Sequence, residues 1–379
     1  MNHTTWIEIN RSNLEHNVAQ YQQWISSTIA VAPVIKANAY GHGLYEIASI
    51  YESNTTVKRL CVIDSKEALL LRQHNIQKPI LILGYIDSPL EMIAKHNIDV
   101  TVYDLQTIKY LNQAAIKADR IINVHLKVDT GMSRLGIFPE EVATYIQYIK
   151  KLEGINLQGI WTHLSSGNDA NSVHEQEQLF QQLEFPQHLQ THISNSHGSM
   201  HIAHTYSFAR VGCGLYGYLL TKNKEKQQSL KPVLSLKSKV IHIKHLPAKK
   251  HIGYQQLFTT SQPTTIAILG IGYYEGINSK LIHGGRVIIN GHYAPIISIN
   301  MNLTTIDITN IPQCVVGDIA IFLGQDNTLS ITGYDWQQIL NLNLRESFAK
   351  LESSIPRFII NTHNKQNIQI KHTSEQNSM

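Results

Sequence analysis

A lysine closes a short apolar run, Ile29-Ala30-Val31-Ala32-Pro33-Val34-Ile35-Lys36. The run is too short for a buried helix and reads as a parallel strand, which places one amine at the C-terminal end of that strand. The residues that follow, Ala37-Asn38-Ala39-Tyr40-Gly41-His42-Gly43, are small, polar and glycine-rich. Their backbone can approach a ligand closely, and the Tyr40 hydroxyl can meet an anion. A lysine with a desolvated stem has a lowered pKa and can form a Schiff base with a carbonyl compound. An isolated lysine here is more commonly a surface cap on a strand end, so Lys36 needs company.

Other segments offer it. Lys127 and Arg134 lie close together in Lys127-Val128-Asp129-Thr130-Gly131-Met132-Ser133-Arg134-Leu135-Gly136, and His163 ends the apolar stretch before it in Trp161-Thr162-His163-Leu164. In Ala209-Arg210-Val211-Gly212-Cys213-Gly214, the backbone N–H groups of Gly212 and Cys213 would serve a phosphate at a helix start. Taken singly these are ordinary features: a helix-capping loop, a structural histidine, and in the case of Tyr254 a strand tyrosine on a core face.

From Trp6 to about residue 225 short apolar strands alternate with longer helical segments. Ser12-x-x-Glu15 and Asp64-x-x-Glu67 read as capping boxes opening helices. Strands are predicted at Leu60–Ile63, Ile80–Leu83, Val100–Tyr103, Val124–Val128, Leu157–Trp161 and around Ile193. Their spacing is that of successive βα units, and eight such units closing on themselves make a (β/α)8 barrel. The alternation stops near Lys231-Pro232, where period-two strands and tight turns take over, as in Val233–Ile243, Thr264–Leu269 and the Asn290-Gly291 hairpin. The expected fold is therefore α/β, a TIM-like barrel over 1–230 followed by a mostly β domain over 231–379, with a polar C-terminal stretch ending Thr373–Met379 that should fray. In such a barrel, active-site groups sit at the C-terminal strand ends.

Composition narrows the function class. With 42% hydrophobic and 16% charged residues the chain is an ordinary globular protein. No stretch approaches the roughly 20 apolar residues of a membrane span, and no secretory signal is visible, which points to a cytoplasmic enzyme without a membrane partner. Cys61, Cys213 and Cys314 are widely separated and lack metal-ligand spacing, so neither a disulfide nor a metal site is expected. The net charge of +4 comes from dispersed residues, without the basic stripe that nucleic acid requires. Most of the 20 histidines are expected at the surface.

The ten residues Val34–Gly43 resemble the pyridoxal 5'-phosphate (PLP) attachment motif of alanine racemases, and the resemblance extends along essentially the whole chain. It implies that Lys36 carries PLP and that Tyr40 contacts the phosphate, with Ser196, in Ser194-Asn195-Ser196, and the Gly212 and Cys213 amides beside it. By the same resemblance Arg210 faces the pyridine nitrogen, where many PLP enzymes place a carboxylate. A guanidinium does not readily give up its proton, so the ring nitrogen stays neutral, which favours reprotonation over transamination. His163 would link Arg210 to the second base, Tyr254, in His251-Ile252-Gly253-Tyr254. Arg134 would face the substrate carboxylate, held by a Lys127 that is often carbamylated in the family. Tyr273 and Met301 would line the entrance and bind substrate. Tyr254, Tyr273 and Met301 would reach the barrel mouth of a partner subunit in a homodimer.

The activity implied is interconversion of L- and D-alanine by two bases, Lys36 and Tyr254, supplying D-alanine for peptidoglycan. The chain departs from the family pattern at Gln255-Gln256, where small residues are usual. It departs again at Asn302, where aspartate is typical, and at Leu344-Arg345-Glu346-Ser347, where a phosphate-reaching tyrosine is expected. The alternatives are a racemase acting on serine, lysine or a wider set of amino acids, and a PLP-binding homologue without racemase activity.

Overall fold

The computed structural model describes residues 3–25, 28–219, 221 and 223–361. The polar stretch Thr373–Met379 lies outside them, as does Lys222 of a basic turn. The chain divides into two compact units. One comprises residues 14–39 and 47–231, and the other residues 1–13, 40–46 and 232–379.

Strand β1 (Thr5–Asn10) buries Ile7 and Ile9 on one face. It is the strand predicted to open the alternating region, but its hydrogen-bonded partners are strands of the C-terminal third. Alternation reveals that a segment is a strand, while the choice of neighbour is made by complementary faces far apart in sequence. The helix Arg11–Trp24 follows, and its first turn is capped by Asn10, whose side chain accepts from Asn13 N at 3.0 Å. Ser12, predicted as the cap, is already inside the helix. Asn is as good a cap as Ser, and the helix starts one residue before Ser12.

The barrel strands follow in order: β2 (Ala30–Pro33), β3 (Leu60–Asp64), β4 (Ile80–Tyr85), β5 (Asp99–Val102), β6 (Ile122–Lys127), β7 (Ile155–Trp161), β8 (Gln190–His192) and β9 (Phe208–Val211). Strands β3 to β8 form one parallel sheet, and β2 pairs in parallel with β9. A parallel bridge from Val34 to Cys61 links the β2 end to β3, and Ser207 N donates to Thr191 O at 2.8 Å between β8 and β9. Eight parallel strands thus close a ring. Its strands read as continuous apolar runs because both faces are covered, as in Leu60-Cys61-Val62, all fully buried. Two of the helices between them, Ser65–Gln73 and Leu105–Lys117, start where an acidic side chain caps the first turn: Asp64 accepts from Glu67 N at 2.9 Å, and Asp104 from Thr107 N at 2.7 Å.

The other unit is antiparallel apart from the parallel pairing of β1 with its last strand. Its strands are β10 (Leu234–Leu246), β11 (His251–Ile252), β12 (Phe258–Thr259), β13 (Thr264–Leu269), β14 (Arg286–Ile289), β15 (His292–Ile299), β16 (Thr304–Asp307), β17 (Ile319–Asp326), β18 (Leu329–Ile331) and β19 (Arg357–Ile360). The nine-stranded sheet runs β18-β17-β14-β15-β16-β13-β10-β1-β19, and β17 pairs with β10 as well, closing a ring of six strands. The hairpin between β14 and β15 turns at Asn290 (φ 49°) and Gly291 (φ 74°), the two positive angles of a type I′ turn. Among the described residues no helix is long and apolar enough to cross a membrane.

Candidate active site

The residues after Lys36 form a left-handed turn. Ala37, Asn38, Ala39 and Tyr40 have φ of 55°, 53°, 52° and 54°, and Ala39 N donates to Ile35 O at 2.8 Å. For residues with a Cβ this hand costs roughly 1–2 kcal/mol each, so the surroundings must impose it. Glu67 is one imposing group. One of its carboxylate oxygens accepts from Asn38 N at 3.1 Å and the other from Ile63 N at 3.2 Å. Burial raises the Glu67 pKa against the lowering effect of these amides. The capping-box reading found Glu67 but not this second task. Tyr40 ends the turn half-buried. Its segment groups with the antiparallel unit, where Gly41 O accepts from Arg357 Nε at 3.2 Å and Nη2 at 3.0 Å.

Two further strands contribute cations. Lys127, at the end of β6, is buried with its Nζ 4.1 Å from the centre of the Trp161 ring, and the Arg210 guanidinium, from β9, lies 4.4 Å from the same ring. Arg210 is also buried. It donates to the carbonyls of His192 (2.9 Å), Thr162 (2.8 Å) and Ile193 (3.2 Å) and lies 3.5 Å from His163 Nδ1. Burial, with the charges of Arg210, Arg134 and Lys36, holds the Lys127 amine down at about 7, against a favourable contribution from Asp129. Burial and the same cations, with Lys127, push His163 well below the usual imidazole range. Burial takes Arg210 to about 9. Asp129 spends its carboxylate on the backbone N–H groups of Gly131, Met132 and Arg134, at 2.9, 2.8 and 3.1 Å.

A cluster of backbone amides adjoins Arg210 along β9. Ser196 Oγ accepts from Gly212 N at 2.9 Å and Gly214 N at 3.4 Å. The Gly212 N–H, expected to serve a phosphate, is therefore directed at Ser196. Cys213 opens a short 3-10 turn, Cys213–Tyr216, in place of the expected helix start. A Cβ on Gly214 would lie 1.9 Å from Tyr21 Oη, which explains the glycine. Four cations around a neutral histidine, next to a polar amide turn, suit a ligand with several negative charges, and a lysine at the same mouth suits a carbonyl on that ligand.

The alanine racemase N-terminal domain family matches residues 9–219, and the alanine racemase C-terminal domain family matches residues 233–359. The chain belongs to the alanine racemase family. It is 34% identical over 370 residues to the alanine racemase of Clostridium novyi (strain NT), covering 94% of this chain and 95% of that protein. Its structure superposes on the alanine racemase of Clostridium difficile 630 with a TM-score of 0.90 at 30% identity, covering 98% of this chain and 99% of that one. The fold alone is shared with the histidine racemase of Leuconostoc mesenteroides subsp. sake NBRC 102480, at 24% identity and a TM-score of 0.86 over 95% of this chain and 98% of that one.

Of the residues that resemblance to the family singled out, Lys36, Lys127, Arg134, His163, Ser196, Arg210, Gly212 and Cys213 fall in the barrel unit. Tyr254, Tyr273 and Met301 belong to the antiparallel unit and are 79%, 49% and 56% exposed. Tyr254 opens a 3-10 turn after Gly253, whose φ is 76°. The Tyr273 and Met301 loops are tied together: Tyr273 N donates to Asn300 O at 3.0 Å, and Tyr274 N to Met301 O at 2.8 Å. Glu275 braces them, accepting from Gly272 N at 2.7 Å and from Asn302 Nδ2 at 2.9 Å. Asn302, the departure from the family's aspartate, is thus a donor to a carboxylate. Glu346, in the departure at Leu344-Arg345-Glu346-Ser347, pairs with Lys350 Nζ at 2.6 Å. Sequence reading missed Glu67 and Trp161 as site residues, and it missed two buried histidines. His125 and His192 are wholly buried, exceptions among described histidines that otherwise lie mostly at or near the surface, as expected. Position on an apolar strand was the signal that could have found them.

Proposed function

We propose that the protein is a PLP-dependent alanine racemase that interconverts L- and D-alanine with Lys36 and Tyr254 as its two bases. The observation that carries this reading is the cationic barrel mouth, in which Lys36 stands among Lys127, Arg134 and Arg210 with His163 kept neutral. When bound, the cofactor supplies an electron sink for the substrate Cα. Lys36 Nζ holds it and moves a proton on one face of Cα, while Tyr254 Oη moves a proton on the other. Arg210 donates toward the ring nitrogen and keeps a proton off it. Arg134 orients the substrate carboxylate, and Tyr40, Ser196 and the Cys213 amide bind phosphate. An exposed tyrosine such as Tyr254 becomes a base only in a different setting. The reading therefore includes a homodimer in which Tyr254, Tyr273 and Met301 of one subunit complete the other's mouth.

Lys127 has a pKa of about 7, so a large share of its amine is unprotonated at neutral pH. That is the form that adds CO2, and the resulting carbamate would pair with Arg134. The cellular role under this reading is cytoplasmic supply of D-alanine for peptidoglycan.

A second reading, a racemase of wider amino-acid range, is favoured by Asn302, which replaces a charge at the braced entrance loops with a neutral donor. One experiment separates these readings: visible absorption of bound PLP, read together with solvent-deuterium incorporation at Cα of alanine and serine, each as both enantiomers. Exchange with inversion fastest for alanine supports the first, and fastest for serine the second. Bound PLP without inversion of either leaves a binding protein.

A further inference from the structure

Barrel interiors are ordinarily packed with branched apolar side chains. Here a continuous polar line crosses the interior. Asp99 Oδ2 pairs with Arg59 Nη2 at 2.9 Å, and Arg59 Nη1 meets His125 Nε2 at 3.0 Å. His125 Nδ1 meets His192 Nε2 at 3.1 Å, and His192 Nδ1 meets Arg210 Nη1. The five residues are between 0% and 8% exposed. Arg59 and Asp99 come from the starts of β3 and β5, whereas Arg210 serves the mouth.

The line is built rather than incidental. A register shift between β6 and β7 at Val124/His125 leaves Gln158 as an extra residue and sets His125 opposite Gly159. A Cβ on Gly159 would lie 2.3 Å from His125 Nδ1, so only glycine leaves room for the ring there. The His192 ring is stacked between Trp161 (centroids 5.3 Å apart, 17° between planes) and Phe208 (4.2 Å, 23°). Turning it over would drive it through both neighbours.

Proton counting shows what such a line must do. Burial and the flanking guanidiniums hold both imidazoles well below their usual pKa, for His125 against the raising effect of the Gln158 side chain, so each carries one proton. A guanidinium only donates. If Arg59 donates to His125 Nε2, His125 carries its proton on Nδ1 and donates to His192 Nε2. His192 then carries its proton on Nδ1, facing another donor on Arg210. If Arg210 donates to His192 Nδ1, the same reasoning leaves His125 Nε2–H facing Arg59. With the central contact intact, only one end can be satisfied.

We propose that Arg59, anchored by Asp99, is a positioning residue for the reaction. Through His125 and His192 it competes with Arg210 for one line of acceptors, and so sets how firmly Arg210 is held at the barrel mouth. The effect on catalysis rests on the proposed role of Arg210, whereas the competition itself belongs to the protein alone.

The test is nitrogen NMR of 15N-histidine-labelled protein, first without and then with PLP. It compares the parent with Arg59→Met/Asp99→Asn, which removes the rival donor and its carboxylate together. The parent should show His192 divided between its two neutral tautomers. The variant should show the Nε2–H form alone, because Nδ1 is then free to accept from Arg210. Gly159→Ala, which forces His125 away from His192, should produce the same His192 tautomer and serves if the double variant does not fold. With PLP bound, both variants should lose cofactor to side transamination several-fold more slowly than the parent. A His192 tautomer unchanged in the variants overturns the competition, whatever the cofactor does. An altered tautomer with an unchanged transamination rate overturns the positioning role. A parent protein that binds no PLP removes the proposed function and leaves the tautomer result standing.

Discussion

The barrel mouth and the loops carrying Tyr254, Tyr273 and Met301 solve opposite problems. At the mouth, charged groups are taken out of water, and their pKa values move with them: Lys127 to about 7, Arg210 to about 9. Lys127 lies over the Trp161 ring, and Arg210 is held by that ring, three carbonyls and two imidazoles, so the mouth is polarised before any ligand arrives. In the antiparallel unit Tyr254 exposes 79% of its surface, while the Tyr273 and Met301 loops are fixed by backbone bonds to each other and by the Glu275 carboxylate, which accepts from Gly272 N and Asn302 Nδ2. The difference teaches that the two regions are built differently: one holds charge in place within the protein, and the other presents exposed side chains, which under the proposed function would gain their environment from a partner subunit.

Substitutions in the two regions should therefore fail in different ways. The largest effect belongs to Lys36→Ala, which should abolish covalently held PLP and racemisation together; retention of both in absorption and exchange assays would refute the assignment. Tyr254→Phe should cut turnover by about 10²–10⁴-fold, the usual range for a lost acid/base group. Its PLP absorption and melting temperature should stay near those of the parent, and near-normal rates in both directions would end the two-base scheme. Arg210→Glu should lower racemisation and raise the ratio of side transamination to racemisation, measured as keto acid formed per inversion.

A smaller effect concerns stability. The folded pKa of Lys127 lies at about 7, below its ordinary 10.5, so between these values the unfolded chain binds more protons than the folded one. Stability should rise with pH across that window, and it should carry the full penalty of the buried charge below about 7. Lys127→Met should flatten the rise in denaturant midpoint, and an identical slope in parent and variant would exclude burial as the cause. The smallest effect is expected from Glu67→Gln, which keeps one acceptor for Asn38 N and should cost little more than a single buried hydrogen bond, about 1 kcal/mol.

Much of the architecture could be read along the chain because it depends on local pattern. Thr264–Leu269 is a strand with the predicted bounds, and Asn290-Gly291 forms the predicted turn. Lys36, Lys127, His163 and Arg210 stand at barrel strand ends because apolar runs locate the strands and the chain direction locates their ends. What stayed hidden depends on distant partners. Nothing in the alternation of β1 names β10 and β19 as its neighbours. Nothing in the spacing of Arg59, Asp99, His125 and His192 shows that closing the ring brings them into one line. The second task of Glu67 was hidden for the same reason, since it depends on a loop about 30 residues earlier.

The handedness of the turn at Ala37–Tyr40 bears on how portable the lysine signature is. Four consecutive non-glycine residues with positive φ would, as an isolated peptide, relax to extended or right-handed forms, carrying the Lys36 amine and Tyr40 hydroxyl to unrelated positions. Grafted onto the strand end of another scaffold, Val34–Gly43 would bring its letters and leave its geometry behind, unless a carboxylate in the place of Glu67 came with it. The signature is therefore a ten-residue label for an arrangement that the rest of the molecule writes.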